Sequence, residues 1–206
     1  MRTSHRDQRG PALAACCTAL VIAFLIAPCA ALYAEYTVLP NGTSYNASIE
    51  VAGADRFDFY ELGVLGERVP VKATDIGLSG NCSPCTFNMS GASAISFAKG
   101  NYTISYTAPL REYHFQAFFN EPYNVDVSVP EGFDVRNPLI AGISPGGMIH
   151  DGPENSTIVT WNKTTTIDLR FYDKNRETIL YLFGNFWIII AIVLLVPFFL
   201  TMRKRE

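Results

Sequence analysis

The chain has 206 residues, 49% of them hydrophobic, with 16 Lys and Arg against 19 Asp and Glu for a formal net charge of −3. The charge is uneven: residues 35–178 carry 10 basic and 17 acidic side chains, a net of −7, while each end is +2. An acidic middle segment repels nucleic acid and anionic lipid headgroups, which argues against both as its ligands, and its plain consequence is solubility.

From the N-terminus, Arg2, Arg6 and Arg9 lead into 25 uncharged residues, 10–34, with the core ALVIAFLIA ahead of Pro28. A basic start, an apolar middle, a helix-breaking proline and then small residues is the order of a secretory signal peptide. Residues 1–34 are therefore expected to be an apolar signal helix, cut after Ala31 (with Cys29 and Ala31 as the small pair) or after Ala34. The run is long for that purpose, so an uncleaved signal anchor is the alternative. Lipidation at Cys29 is disfavoured because Pro28 sits where a small residue is wanted. Either way, residues 35–176 lie outside the membrane.

That segment alternates with the period of a strand. Tyr102, Ile104 and Tyr106 interleave with Thr103, Ser105 and Thr107, and Val125, Val127 and Val129 with Asp126, Ser128 and Pro130. Ile167, Leu169 and Phe171 interleave with Asp168, Arg170 and Tyr172. Similar runs cover 45–51, 57–60, 95–97, 113–119 and 158–161. Asn41-Gly42 between two runs predicts a hairpin turn, because both residues tolerate positive φ. Pro122, Pro130, Pro138, Pro145 and Pro153 leave no room for a long helix in the second half. Eight to ten short strands predict an all-β, antiparallel β-sandwich of immunoglobulin-like type. Phe57, Phe59, Phe115, Phe119, Trp161 and Phe171 would fill its core. Two smaller β units split near 108–111 are the alternative.

Seven Asn-x-Ser/Thr sequons, at Asn41, Asn46, Asn81, Asn88, Asn101, Asn155 and Asn162, predict an N-glycosylated surface. Asn81 is the weakest of them, because a disulfide at its neighbour Cys82 would compete with a glycan. Cys82-Ser83-Pro84-Cys85 reads as a small-loop disulfide in an oxidising compartment. The redox alternative wants a helix after the pair, and the metal alternative wants two more ligands where only His114 and His150 remain. Gly142-Ile143-Ser144-Pro145-Gly146 matches G-x-S-x-G, but the nucleophile elbow needs an N–H on the residue after serine and Pro145 has none. His114 and His150 have no visible partner constellation, and the paired carboxylates (Glu50/Asp55, Asp58/Glu61) are ordinary. No catalytic, cofactor or metal site is expected.

Near the C-terminus only 173–177 separate the last strand run from a second stretch of 25 uncharged residues, 178–202. Residues 179–202 are long enough to cross roughly 30 Å of hydrocarbon as a helix. The basic residues Arg203, Lys204 and Arg205 place the 203–206 tail in the cytoplasm. Tyr181, Phe183, Phe186 and Trp187 would form the outer aromatic belt, and Asn185 is read as hydrated at that level. Pro197 would loosen the helix near its inner end. The absence of a stalk keeps the β domain close to the bilayer.

The second half has a cadence: YNVDVSVPEGFDVRNPL (123–139), SPGG (144–147), TIVTWN (157–162) and IDLRFYDKNRE (167–177), then the apolar helix. It resembles an uncharacterised family of archaeal surface proteins, each a small β domain tethered by one C-terminal helix. The resemblance covers residues 100–200. It implies a cell-surface β domain with archaeal N-glycosylation, and it transfers no active site. The functional expectation is an integral membrane protein acting by contact, as an accessory or assembly subunit of an envelope complex. Arg170, Tyr172, Arg176, Trp187 and the 137–148 loop are the expected interaction residues. An extracellular ligand- or sugar-binding module is the alternative, followed by a thiol-disulfide oxidoreductase using Cys82 and Cys85.

Overall fold

The computed structural model describes residues 31–63 and 66–203. The expected signal segment therefore lies outside the described residues, apart from its last four positions. Strand β1 (Leu32–Val38) turns into β2 (Ser44–Asp58), and a small hairpin of β3 (Tyr60–Leu62) and β4 (Arg68–Pro70) follows. Next come β5 (Thr74–Gly80), β6 (Phe87–Met89), β7 (Ala94–Pro109) and β8 (His114–Val129). Short strands β9 (Phe133–Asp134), β10 (Gly142–Ile143) and β11 (Met148–Asp151) precede β12 (Thr157–Arg170) and β13 (Tyr172–Asp173), which runs directly into helix α1 (Lys174–Arg203).

The β content is as expected, but the architecture differs from two antiparallel sheets. Nine strands hydrogen-bond into one sheet in the order β10-β12-β8-β1-β2-β7-β5, with β11 added to β12 and β6 to β7. The sheet is mixed, because β1 pairs antiparallel with β2 and parallel with β8. The short strands read from sequence are fused in pairs: 45–51 joins the start of 57–60 in β2, 95–97 joins 102–106 in β7, 113–119 joins 125–129 in β8, and 158–161 joins 167–170 in β12. Between the halves the register shifts, at Val51/Ala54/Arg56 of β2 and at Trp161/Thr164/Thr166 of β12. Such bulges bend a strand without ending it.

The bends curl the sheet around one face. In β8 the buried residues keep the same parity on both sides of the bend, with Phe115 and Phe119 on one side and Tyr123, Val125, Val127 and Val129 on the other. The same face is thus interior throughout, and the two halves meet across it. Tyr36 of β1 is in register with Val127, yet its ring lies 4.6 Å from Phe115, twelve residues back along β8. Tyr106 of β7 is in register with Ala47, yet its ring lies 4.9 Å from Phe59, beyond the bend of β2. Of the expected core aromatics, Phe59, Phe115, Phe119, Trp161 and Phe171 are buried, and Phe57 packs partly buried against them.

The 39–43 turn is the expected hairpin connection, with Leu39 N–H donating to Ser44 O at 2.9 Å. Only Gly42 of the pair takes positive φ, at 67°. A Cβ there would meet the Phe133 ring at 2.5 Å and the Tyr113 ring at 2.8 Å, so this position is closed to larger residues on two counts. Those two rings pack with Phe171 at centroid distances of 5.3–5.6 Å, closing the end of the core beside the helix.

Helix α1 starts earlier than the expected 179, at Lys174, so residues 174–177 are its first turn and not a linker. Residues 174–200 are long and apolar enough to cross a membrane, and none of the most apolar stretch is covered by the β domain. Large apolar side chains from Ile179 to Leu200 are exposed all around it, which suits a lipid surround better than a single packed stripe. Pro197 is accommodated inside the helix.

Phe115 joins the two halves of the curled sheet, touching Tyr36 and Tyr45 with 1% exposure. Phe115→Ala is expected to destabilise the protein by about 3–5 kcal/mol, as for other buried aromatic truncations. Denaturant unfolding followed by far-UV circular dichroism measures this; a change within about 0.5 kcal/mol, the range of an ordinary surface substitution, would show that the halves do not depend on this contact.

Candidate functional site

The concave face of the sheet is not filled completely. Between the two halves lies a cavity of about 220 Å³. Its floor is formed by Tyr36, Tyr45 and Tyr106, from β1, β2 and β7, with Phe119 and Tyr123 of β8 as walls. All five are buried. They reach the interior because each occupies an inward position of an alternating strand. Its mouth carries Arg56, Asp58, Arg68, Asn120 and Glu121, all exposed.

Hydrogen bonding inside the cavity is uneven. The Tyr123 hydroxyl donates to Glu50 O at 2.6 Å, and that of Tyr60, near the mouth, to Phe118 O at 3.2 Å. The rings of Tyr45 and Tyr106 meet edge to face, 6.3 Å between centroids. The Tyr36 hydroxyl has no hydrogen-bond partner among the described residues, although the residue is only 2% exposed. Burial pushes the Tyr36 and Tyr106 phenols well above their ordinary value and that of Tyr45 up to about 12. These groups remain neutral O–H donors over the physiological range.

The two arginines at the mouth differ. Arg56 is tied to Asp58, with nitrogen–oxygen distances of 2.8 and 2.9 Å. Arg68 lies over the rings of Tyr60 and Phe118, 4.6 and 5.6 Å from their centroids, and donates to the neutral Oδ1 of Asn120 at 3.1 Å. No carboxylate pairs with Arg68 among the described residues.

The second cluster of interest joins the β domain to helix α1. Asp173 caps the helix by accepting the Asn175 N–H at 2.8 Å, and Lys174 N–H donates to Gly132 O at 3.3 Å. The Glu177 carboxylate receives Asn137 Nδ2 at 3.0 Å and the Tyr172 hydroxyl at 3.3 Å. Arg176 lies over the Tyr113 ring, 5.3 Å from its centroid. β13 adds backbone pairing with β9 on the domain side.

The expected interaction residues separate accordingly. Tyr172 is buried: it lies on the side of the strand away from Phe171, covered at the joint, and its hydroxyl holds Glu177. Arg176 is exposed above Tyr113. Arg170 is exposed on β12 opposite His114, with no ion pair among the described residues. Trp187 is exposed on the helix, its ring 6.0 Å from Phe183 and 6.5 Å from Phe186. The 137–148 segment contains β10, which pairs with the last residues of β12.

Cys82 and Cys85 form a close pair, with Cα atoms 4.9 Å apart and the sulfurs joined. Asn41, Asn46, Asn81, Asn88, Asn101, Asn155 and Asn162 are all exposed. Ser144 of the G-x-S-x-G stretch accepts the Asp168 N–H at 3.1 Å and makes no bond to His114 among the described residues. His114 Nε2 instead lies 2.9 Å from Asp168 Oδ1, whose other oxygen receives Gln116 at 2.7 Å. Among the described residues no group of three or more His, Cys, Asp or Glu is placed to hold a metal.

Sequence reasoning did not find the cavity. The available signal was tyrosine, at Tyr36, Tyr45 and Tyr106, in inward positions where aliphatic residues would pack without polar atoms. Arg68 carried no signal, because its approach to the cavity depends on the β3–β4 hairpin lying beside β8.

In comparison with known proteins, residues 88–204 match the model of a family described as "Family of unknown function (DUF5803)". The matched span runs from β6 through α1 and includes the stretch whose cadence carried the resemblance, leaving β1 to β5 outside. No curated protein matches the chain.

The buried tyrosines predict an alkaline limit. In the unfolded chain tyrosine ionises near pH 10, whereas burial holds these groups protonated to higher pH. Their contribution to stability is complete below about pH 10 and declines as pH rises from 10 toward 12. Tyrosinate absorbance is expected to appear together with loss of the β signal in that window. Ionisation of all tyrosines near pH 10 with the fold intact would contradict this.

Proposed function

The chain belongs to this DUF5803 family of unknown function, and from that premise we propose that it is a single-pass membrane protein acting by contact. In this reading the β domain stands outside the cell, α1 spans the bilayer, and the Arg203–Arg205 cluster remains in the cytoplasm. The protein serves as an accessory or assembly subunit of an envelope complex. The observation that carries the reading is the joint between domain and helix. Asp173 caps α1, while Tyr172 and Asn137 hold Glu177 in its first turn. A domain fixed to its anchor presents one orientation to anything diffusing in the same membrane. A partner then meets Arg170, Arg176 and Trp187 in a set geometry, with less orientational freedom to lose on binding than across a flexible stalk. The exposure of the sequon asparagines supports a glycosylated outer surface, and the Cys82–Cys85 pair suits an oxidising compartment.

Export would then remove the N-terminal segment. β1 begins at Leu32, and Ala34 is fully buried between β2 and β8. Cutting after Ala34 would shorten a central strand by three residues, whereas cutting after Ala31 leaves it whole. The mature protein is therefore expected to begin at Leu32, as read by N-terminal sequencing of material from native membranes; a start at Glu35 would contradict this assignment.

The test of function is affinity recovery of the full chain from native membranes in mild detergent, with companions identified by mass spectrometry. Stoichiometric membrane companions are expected. They should be depleted when residues 179–202 are replaced by a generic apolar helix, or when Gly-Ser-Gly-Ser is inserted between Asp173 and Lys174. Arg170→Glu with Arg176→Glu should reduce their recovery as well. A solitary protein would sink the contact reading, and companions indifferent to every one of these changes would remove the junction from it.

A further inference from the structure

We propose that the cavity below Arg68 binds a small monocarboxylate built on a single six-membered ring, with an oxygen substituent on the side of the ring away from its carboxylate. The inference stands apart from the membrane-contact reading, since Arg68 and Tyr36 are not part of the joint with α1.

Size comes first. The cavity holds about 220 Å³, and an engineered void of about 150 Å³ already admits benzene, so one six-membered ring fits. Its walls suit a ring, because the faces and edges of Tyr106, Phe119 and Tyr123 surround the space. Aromatic walls stack on planar rings and equally on the C–H faces of a sugar.

The second argument is the polar atom at depth. Asp126 Oδ1 is the one enclosed side-chain polar atom without a partner among the described residues, so the Tyr36 hydroxyl, which also makes no bond, stays open to the cavity. Tyr36 is 98% buried, with 2% exposure, and its hydroxyl has no partner among the described residues. The neighbouring phenol of Tyr123 is committed to Glu50 O. Tyr36 is thus a neutral donor open to the cavity that can meet an oxygen acceptor on a bound molecule.

The third argument is the charge at the mouth. Arg56 is neutralised by Asp58, whereas Arg68 is stacked on Tyr60 and Phe118 and, among the described residues, has only an amide as side-chain hydrogen-bond partner. Stacking orients the guanidinium plane and leaves its remaining N–H groups free, a fork that matches a carboxylate. The carboxylates of Asp58 and Glu121 share the mouth, so a dianion such as a phosphate monoester would face repulsion that a single negative charge meets less. A ring acid could come from an aromatic source or from a uronic sugar; both present the same carboxylate and ring oxygen.

The test is calorimetric titration of the full-length protein in detergent with 4-hydroxyphenylacetate and with glucuronate. Phenylacetate, 4-hydroxyphenylacetamide and glucose serve as counterparts lacking the hydroxyl or the charge. One of the two acids is expected to bind with one-to-one stoichiometry, and which one does identifies the aromatic or the sugar class. Its uncharged counterpart should bind about tenfold more weakly, as should the acid to Arg68→Gln, since hydrogen bonds to a charged group contribute on this scale. Tyr36→Phe should weaken the hydroxylated acid severalfold while leaving thermal stability unchanged, because the hydroxyl it removes makes no hydrogen bond to the described residues. Absence of saturable binding by either acid at millimolar concentration would overturn the proposal. Equal binding of charged and neutral counterparts, or affinities untouched by both Arg68→Gln and Tyr36→Phe, would overturn it too. Arg68 is exposed and Tyr36→Phe is conservative, so both variants should retain the fold.

Discussion

The parallel pairing of β1 with β8 is the contact on which the rest of the molecule depends. Without β1 the sheet would fall into two antiparallel groups, β2–β7–β5 on one side and β8–β12–β10 on the other. β1 joins them through six residue pairs to β8 and five to β2, with Ala34, Tyr36 and Val38 turned into the core. Parallel strands need a long connection, and here β2 through β7 supply it. This places the joining strand at the sequence boundary with the N-terminal apolar segment, and it makes the start of the folded domain a matter of core packing rather than of loose tail.

Curling follows from that joint. Four strands of 14–16 residues cannot remain flat and still bury one face, so bulges bend them and the sheet closes on its own apolar side. Aromatic residues span the gap, as Tyr36 to Phe115 and Tyr106 to Phe59 illustrate. Large rings bridge distance well but pack imperfectly, and the space among them is the cavity. At the other end of the core, Tyr113, Phe133 and Phe171 close the domain beside α1, and Arg176 from the helix rests on the first of these rings. The same arrangement therefore leaves an opening on one side and fixes α1 on the other.

The legible parts of this structure have local causes. Alternation in 125–129 and 167–171 placed Val125, Val127, Val129, Ile167, Leu169 and Phe171 inside, as the burial confirms. Gly42 marked its turn because no other residue takes that backbone so readily. The interruptions at 52–56, 98–101, 120–122 and 162–166 read as loops because they are polar, glycine-rich or proline-bearing. In the structure they lie on the exposed bends of continuous strands, where the ladder slips register and side chains return to water. Composition alone does not separate an exposed bend from a turn. Tyr172 is a comparable case: alternation put it opposite Phe171, on the outside, but the short pair with β9 and the hydroxyl bond to Glu177 bury it at the joint.

The sequence by itself determined that residues 35–176 are β-rich and that one C-terminal stretch is long and apolar enough to cross a membrane. Both follow from hydrophobic pattern, a property of neighbouring residues. Only the tertiary structure decided that the strands form one mixed sheet, that β1 lies parallel to β8, that α1 is bonded to the domain through Glu177, and that Tyr36 and Arg68 serve one cavity. Each of these rests on contacts between residues far apart in the chain; 90 positions separate Leu32 from its partner Tyr123 along β8, a distance at which periodicity carries no information.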